Sequence, residues 1–490
     1  MATLKELYEL VHSLDKSEKK HLSLMIKAIG GKASDRYAYC FRVINESTTF
    51  NTQRLKEKLA TGVHGMNLSE ANSNFYGFLC KALLNYKKPP TANLGLLKDL
   101  ILVETLISKG QLTSAQKLHT PLLKRLKQGN SFGLLGRGLE LSSILTASIK
   151  STAYNYGKRL EIMDERRKSA QDQLTYIEII RLSTLLAQAA HDIGPPRTRE
   201  QLNVYAEIYK EPVCHLSFKG MSKQLFIMYG SIKTDIIAIV DGNEAAIKEC
   251  KLALNELHKN FDIREHATAA FYLLDNLISD CIRIKDTKSL SEGLEELQQL
   301  LPYIKQKGLY QLVQSKIMVA ELSICFINRD YKKGNDKIKE WMKPQVLNTW
   351  KEAPLAYINY LWCARMCYLC NQAEKALDYL QPLQQIEKDL RPVIFINYRF
   401  LTLLCHYKLG NYTLVNYGGQ GLYKHLLRME KLHEPERALL RFFKNSGSFD
   451  KTNKQLQLLR SAFSKLEKDP LHIPFFEFAD YNEWLKGATA

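Results

Sequence analysis

The sequence predicts an all-α protein, an α-solenoid in which helical hairpins stack into a superhelix. Apolar residues recur at helical spacing along most of the chain. Pro (14) and Gly (25) are scarce over 490 residues, so the turns that a many-stranded fold needs are missing. Polar joints recur in the second half of the chain at intervals near 40 residues. Self-similarity at such a period indicates a repeat array.

Residues 1–62 are predicted to form a small N-terminal helical block. Asp15–Glu18 has the form of a capping box, which satisfies the free backbone N–H groups at the start of a helix. This second helix is expected to run to Gly30–Gly31, because glycine commonly ends a helix. A third helix is expected from Asp35, and a fourth after Thr52 as its N-cap.

Residues 63–445 are predicted to form the repeat solenoid itself. Each joint has a polar turn, then a small or modest residue, then apolar residues four and seven positions later. The second helix of a hairpin needs a small residue where it crosses the first helix, and the later apolar residues fill the groove between them. These lead residues are Ala246, Gly293, Gly334, Ala376 and Val415, with Ala115 as a less complete copy upstream.

Residues 446–490 are predicted to form a C-terminal helical cap. Pro470 and Pro474 end the preceding segment, and aromatic residues then follow at a helical spacing. A repeat array needs a terminal element that covers its last apolar face, and an exposed aromatic hook for a partner is the alternative. The residues concerned are Phe475, Phe478, Tyr481, Trp484 and Leu485.

The spacing within the hairpins resembles that of the tetratricopeptide repeat, whose unit has 34 residues. Leu409–Tyr412 looks like the turn between the paired helices of that family, although the interval here is nearer 40. Residues 7–20, 67–83 and 478–485 carry a second resemblance, to an uncharacterised Bacteroidetes-type family of tetratricopeptide-like helical-repeat proteins. That resemblance implies architecture only, because the family has no assigned activity.

The charge balance favours a polyanionic partner. Lys and Arg number 69 against 51 Asp and Glu, a net charge of +18, and such an excess attracts RNA, DNA or an anionic surface. An ordinary solvated basic surface is the alternative. Residues 117–168 hold eleven basic residues against four acidic ones, a local net charge of +7. The candidate polyanion-binding residues are Lys124, Arg125, Lys127, Lys158, Arg159, Arg166, Arg167 and Lys168.

No pattern in the sequence supports catalysis. Cys363, Cys367 and Cys370 share one helical face, and Cys405 could approach from the next repeat. Two of these cysteines fall on core positions of the repeat, so buried thiols are favoured over a metal site. The glycines within 129–138 lack the lysine that ends a phosphate-binding loop. We therefore expect no enzyme activity, no cofactor and no metal.

The sequence thus favours a cytoplasmic, non-catalytic scaffold or adaptor that holds a protein or peptide on the concave surface of its superhelix. Scattered cysteines, an N-terminus without a signal-peptide layout and the lack of a long apolar stretch support this location, without membrane insertion. One alternative is a nucleic-acid- or ribosome-associated factor that uses residues 117–168. Another is a peptide-responsive transcription regulator with a DNA-binding head in residues 1–62.

Overall fold

The computed structural model of the chain is helical throughout the part that it describes. It describes residues 3–61, 68–84, 92–129, 131–148, 156–262, 264, 266–351, 356–445, 449–478, 481 and 484–485. No β-strand occurs among these residues, so the predicted all-α class is confirmed. None of the helices described is long and apolar enough to cross a bilayer.

The chain divides into two compact units, Met1–Ala170 and Gln171–Ala490, which we describe separately. The boundaries expected after residues 62 and 445 adjoin segments 62–67 and 446–448, which lie outside the described residues. Those two boundaries therefore stay predictions.

The first unit begins with a block of short helices and continues with longer ones. The helices are α1 (Leu4–Ser13), α2 (Lys16–Ile29), α3 (Gly31–Asn45), α4 (Thr52–Ala60), α5 (Leu68–Leu84), α6 (Ala92–Ser108), α7 (Leu112–Gln128), α8 (Phe132–Ser148) and α9 (Tyr156–Asp192). Residues of α9 up to Ala170 belong to this unit.

Three helix starts were predicted in the N-terminal block, and the structure agrees with one of them and differs from two. The capping box at Asp15 is confirmed, since its carboxylate accepts hydrogen bonds from two backbone N–H groups of α2. Helix α3 begins at Gly31 and not at Asp35, because Gly30 and Gly31, with φ of 68° and 65°, make the turn between the two helices. The N-cap of α4 is Asn51 and not Thr52: the Asn51 side chain accepts from the backbone N–H of Arg54 at 3.0 Å.

Six helical hairpins follow α10 (Arg199–Tyr209) in the part of the second unit that the structure describes. A short helix, α17 (Pro344–Trp350), is inserted between the third and fourth hairpins, and α24 (Ile473–Phe478) follows the last one. The hairpins are α11 (Lys223–Val240) with α12 (Asn243–Asn260), α13 (Ala267–Ile284) with α14 (Thr287–Leu300), α15 (Lys307–Ile327) with α16 (Tyr331–Trp341), α18 (Ala356–Leu369) with α19 (Ala373–Gln385), α20 (Pro392–Lys408) with α21 (Tyr412–Arg428), and α22 (Glu434–Asn445) with α23 (Phe449–Leu466).

The five lead residues predicted in the second half of the chain lie buried in the second helices of these hairpins, which confirms the repeat there, and the upstream copy Ala115 is buried on α7. Glycine at this position allows a neighbouring helix to pack closely, but the neighbour is not the same helix in every hairpin. A Cβ atom on Gly293 would lie 3.3 Å from Ile278 in the first helix of the same hairpin. One on Gly334 would instead lie 2.5 Å from Met366, in the first helix of the next hairpin. The small residue therefore serves the stacking of hairpins as well as the pairing within one. The buried lead residues are Ala246, Gly293, Gly334, Ala376 and Val415.

The first helices of the hairpins form the inner layer of the second unit. They pack against one another along the array, α11 with α13, α13 with α15, α15 with α18 and α18 with α20. Consecutive second helices make no comparable contact within the described residues. This asymmetry curves the array, with the first helices inside and the second helices outside.

The second unit also closes on itself. The segment Ile193–Arg197, which links α9 to α10, contacts the beginning of α22. Lys431 Nζ donates to the carbonyl of Ile193 at 2.6 Å, across 238 residues of sequence. The guanidinium of Arg197 lies 2.9 Å from the carboxylate of Glu436, which is fully buried. The sequence pattern gave no indication of this closure.

Candidate partner-binding surfaces

The eight candidate polyanion-binding residues all lie in the first unit. Three of them occupy the last turn and a half of α7 and are exposed. The other five lie on the first half of α9. Residues 149–155 of the basic region lie outside the described residues. The set consists of Lys124, Arg125 and Lys127 on α7, and of Lys158, Arg159, Arg166, Arg167 and Lys168 on α9.

Ion pairs within the first unit neutralise only part of this charge. Lys127 Nζ lies 2.8 Å from the carboxylate of Glu165, so the end of α7 is held beside the basic triplet of α9. Arg125 pairs with Asp99 at 2.8 Å. The residues that are exposed and form no ion pair with any residue of the described chain are Lys124, Arg166 and Lys168.

The same half of α9 exposes a stripe of apolar side chains that the sequence analysis did not identify. Tyr156, Leu160 and Met163 are 67%, 62% and 53% exposed, and spacings of four and three residues place them on one face of the helix. Between Tyr156 and Ala170 only Ser169 is buried. An exposed apolar patch with a polar rim is typical of an interaction site. The sequence signal that could have drawn attention to this face of α9 is the basic triplet Arg166–Lys168, since it lies in the middle of a helix.

Charged residues line the inner layer of the second unit at α11, α13 and α15. Lys316 Nζ lies 2.6 Å from the carboxylate of Asp275 and donates to the hydroxyl of Ser279 at 2.7 Å. The carboxyl group of Asp235 keeps access to water, yet protein surrounds it on most sides. That desolvation, followed by the negative charges of Asp280 and Asp275, raises the pKa of Asp235 to about 7.

Farther along the inner layer, the C-terminal aromatic residues are buried against the hairpins. The ring of Phe475 lies 5.7 Å from that of Phe400 on α20 and 5.8 Å from that of Phe463 on α23. The Phe475 ring also stacks on Tyr481 at 4.7 Å, and both side chains are buried. The side chain of Phe478, which was predicted to take part, lies outside what the structure describes. The described C-terminal aromatic residues are thus part of the hydrophobic core formed by α20, α22 and α23.

Buried charges lie beneath this C-terminal segment. Arg365 of α18 is buried, with its guanidinium carbon 3.6 Å from the centre of the Phe326 ring. Burial, followed by the charge of Glu436, raises the pKa of the Tyr481 hydroxyl, whereas the positive charge of Arg365 opposes this shift. The hydroxyl of Tyr368, also on α18, is buried without a hydrogen-bond partner among the described residues.

Three of the four clustered cysteines lie in the core of the second unit, and the fourth, Cys370, is partly buried. Cys363, Cys367 and Cys405 are fully buried, and Cys370 donates from its thiol to the carbonyl of Tyr331 at 3.1 Å. Burial raises the pKa of Cys367 to about 11 and that of Cys405 to about 12. Cys363, Cys367 and Cys405 belong to the buried hydrophobic core of the hairpins, where a thiol packs as a small apolar group. Among the described residues, no group of His, Cys, Asp and Glu is arranged to hold a metal ion.

Comparison with known proteins gives likenesses of fold only. No family model and no curated protein matches the sequence. The crystal structure of the apo form of RapI is similar with 13% identity and a TM-score of 0.39, over 76% of this chain and 87% of that one. A signal transduction ATPase with numerous domains and a tetratricopeptide repeat sensor, from Pyrococcus horikoshii, is similar with 14% identity and a TM-score of 0.36, over 99% of this chain and 68% of that one. At this level the matches carry no information on activity or partner.

Proposed function

We propose that this chain is a non-catalytic scaffold or adaptor that binds a helical segment of a partner protein on the first half of α9. The observation that carries the proposal is the exposed stripe of Tyr156, Leu160 and Met163. Single exposed apolar residues are common on protein surfaces, but three on one face of a helix that buries little else form a contiguous patch. Such patches mark sites of protein association.

The chemistry around the stripe favours an acidic amphipathic helix as the partner. Apolar residues at spacings of three and four match the apolar face of a second helix. Arg166 and Lys168 follow the stripe on α9. The ion pair between Lys127 and Glu165 holds the end of α7, which carries Lys124, beside α9. Charge complementarity at the rim of an interface selects the partner and speeds its association. Acidic side chains beside the partner's apolar face would meet these unpaired cations.

A nucleic-acid- or ribosome-associated role is the second candidate, and the same unpaired cations favour it. Lys124, Arg166 and Lys168 could contact successive phosphates, with a salt-dependent affinity. This role leaves the exposed apolar stripe without a function, apart from stacking of a base on Tyr156. We therefore rank it below protein binding.

The proposal includes a cytoplasmic location and membership of the Bacteroidetes-type family that the two ends of the chain resemble. The location is supported by the ten cysteines, all of which are unpaired thiols, as is usual in a reducing compartment. The family is supported by the residues quoted for it in the sequence.

Binding of defined probes to the full-length protein tests this function. Fluorescence anisotropy would compare a synthetic amphipathic helix with Leu and Glu, the same peptide with Lys in place of Glu, and a single-stranded 20-nucleotide RNA. We expect the acidic peptide to bind most tightly. Leu160→Asp combined with Met163→Asp should weaken its binding at least about tenfold, since buried apolar residues dominate such interfaces.

A matched control is Leu414→Asp combined with Leu427→Asp, which changes two equally exposed leucines on α21 and should leave the affinity unchanged. Tightest binding of the RNA, with no effect of the α9 substitutions, would favour the second candidate. Self-association of the protein that the α9 substitutions abolish would assign the stripe to a second copy of the chain and not to an acidic partner.

A further inference from the structure

One exposed face of α9 continues beyond the stripe at its beginning. We propose that the partner of α9 is a long α-helix with apolar residues at heptad spacing, which pairs with this face from Tyr156 to Arg181 as one strand of a coiled coil pairs with the other. This inference rests on the proposed function, in which α9 binds a helical segment, and it specifies the length and the pattern of that segment.

The alternate spacing of four and three residues continues after Met163. An average spacing of 3.5 residues is that of the a and d positions in a coiled coil. Since α9 is a single helix from Tyr156 to Asp192, helix geometry alone places the residues at these positions within a sector of about 100° around its axis. We call this set the α9 seam. It consists of Tyr156, Leu160, Met163, Arg167, Ala170, Leu174, Ile177 and Arg181.

Every residue of the α9 seam is exposed. Leu174 and Ile177, near its end, are 60% and 52% exposed, which is comparable to the exposure of the stripe at its beginning. The side chains that α9 buries in the same region, Ile179 and Leu182, lie outside the seam. An apolar face that stays exposed beside a packed one is typical of a surface that receives a partner.

The extent of the α9 seam sets the length of the partner. At a rise of about 1.5 Å per residue, Tyr156 and Arg181 lie about 38 Å apart along the helix axis. A partner of two or three turns would cover the first apolar residues and leave Leu174 and Ile177 in water, and isolated helices shorter than about 12–15 residues are only marginally stable. We therefore expect a partner segment of about four heptads, which covers the whole seam.

Arg167 determines the charge and the register of the partner. Its side chain is 86% exposed in the middle of the seam, and its ion pair with Asp164 is 3.9 Å long. An acidic residue at the facing position of the partner would pair with this guanidinium, and a single polar position in an apolar seam fixes the register of a coiled coil. A parallel second copy of α9 would instead place two arginines against each other, which like-charge repulsion disfavours.

Arg181 plays a different part at the end of the seam. Its guanidinium already lies 3.0 Å from the carboxylate of Glu211. The apolar part of the seam therefore ends before it, and the partner needs no acidic residue at this position.

The test uses the full-length protein and two labelled synthetic helices, followed by fluorescence anisotropy. The long peptide has four heptads with Leu at the a and d positions, except for one Glu at the position that faces Arg167. Glu at its flanking positions keeps it from pairing with itself, because like charges repel there. The short peptide has two such heptads only. We expect the long peptide to bind at least about tenfold more tightly, since buried apolar residues dominate such interfaces.

Substitutions in the protein locate the contacts. Leu174→Asp combined with Ile177→Asp should weaken binding of the long peptide at least about tenfold and leave that of the short peptide, which the first stripe holds, unchanged. Arg167→Glu should weaken binding of the long peptide, and Lys in place of its central Glu should restore it. The matched control is again Leu414→Asp combined with Leu427→Asp, which should leave both affinities unchanged.

Equal affinity of the two peptides, or no effect of the substitutions at Leu174 and Ile177, would overturn this inference and leave the proposed function standing. An unchanged affinity in Arg167→Glu would show that the proposed register is wrong. Self-association in sedimentation velocity, abolished by Leu174→Asp combined with Ile177→Asp, would assign the α9 seam to a second copy of the chain. Failure of both peptides to bind would contradict the proposed function itself, and this inference with it.

Discussion

The two units use ion pairs of nearly equal length in opposite ways. In the first unit, Arg125 lies 2.8 Å from Asp99, with side chains 56% and 46% exposed. In the second, Arg197 lies 2.9 Å from Glu436, with side chains 13% and 0% exposed. Water and salt screen the first pair, so it contributes about 0–1 kcal/mol. Protein surrounds the second pair in place of water, so each of its charges is stabilised mainly by the other. The pair in the first unit thus remains open to water, whereas the pair in the second unit is closed off from water and joins residues that are 239 apart in the sequence.

The largest effect is expected from Arg197→Ala. This change leaves the carboxylate of Glu436 buried without its counterion, which should lower the free energy of unfolding by about 3–5 kcal/mol. All four tryptophans of the chain lie beyond residue 340, so denaturant unfolding followed by tryptophan fluorescence reports on the second unit alone.

Two variants sharpen this prediction. Arg197→Ala combined with Glu436→Gln removes the isolated charge and should recover part of the loss. Arg125→Ala in the first unit, followed by circular dichroism, should cost about 1 kcal/mol or less. Equal losses for Arg197→Ala and Arg125→Ala would remove the contrast between the two units.

A smaller effect is expected from acid on the second unit. Burial, followed by the positive charges of Arg197 and Lys431, lowers the pKa of His433 from 6.5 to about 4. Between these values the unfolded chain binds more protons than the folded one. The stability contribution is therefore complete above pH 6.5 and is lost as the pH falls towards 4. Burial raises the pKa of Glu436, which acts in the opposite direction.

His433→Gln should reduce the loss of stability between pH 7 and pH 5 by roughly 1–2 kcal/mol, measured by the same tryptophan signal. The control is His191→Gln, because the side chain of His191 is 88% exposed. An unchanged pH slope in His433→Gln would show that this histidine titrates normally in the folded protein.

The smallest effects are expected at glycines that face solvent in the two units. A Cβ atom on Gly136 of α8 or on Gly421 of α21 would meet nothing within 4 Å. Alanine at either position should stabilise the protein by about 0.5–1 kcal/mol, through reduced freedom of the unfolded chain and better helix propensity. Gly418→Ala should gain less, because its Cβ would lie 2.9 Å from the side chain of Leu403. If Gly418→Ala has a higher melting temperature than Gly421→Ala, the close packing of α21 against Leu403 at Gly418 would be contradicted.

The features that the sequence predicted well depend on residues within one hairpin. The burial of Ala246 and Ala376 follows from a local spacing, since each side chain meets its own partner helix or an adjacent one. The closure between Arg197 and Glu436 depends on rotations accumulated over several hairpins, which no local pattern encodes.

The position of the candidate basic site could be predicted from the sequence. Which of its side chains are engaged in ion pairs could not. The sequence identifies Lys124 and Lys127 equally well as members of a basic region. Only the fold shows that Lys127 is paired with Glu165 and that Lys124 is not. The same holds for Leu160, because a leucine at helical spacing has the same pattern whether its face is covered or open.

The contact between Ile193–Arg197 and α22 also fixes an order of events during synthesis. Most repeat arrays can begin to fold at any point, because their contacts are local. Here Glu436 leaves the ribosome 239 residues after Arg197, a delay of roughly 10–50 s at translation rates of 5–20 residues per second. Until then the guanidinium of Arg197 stays in water, and the early hairpins lack the contact that closes the unit. The second unit therefore completes its folding only when its sixth hairpin has been made.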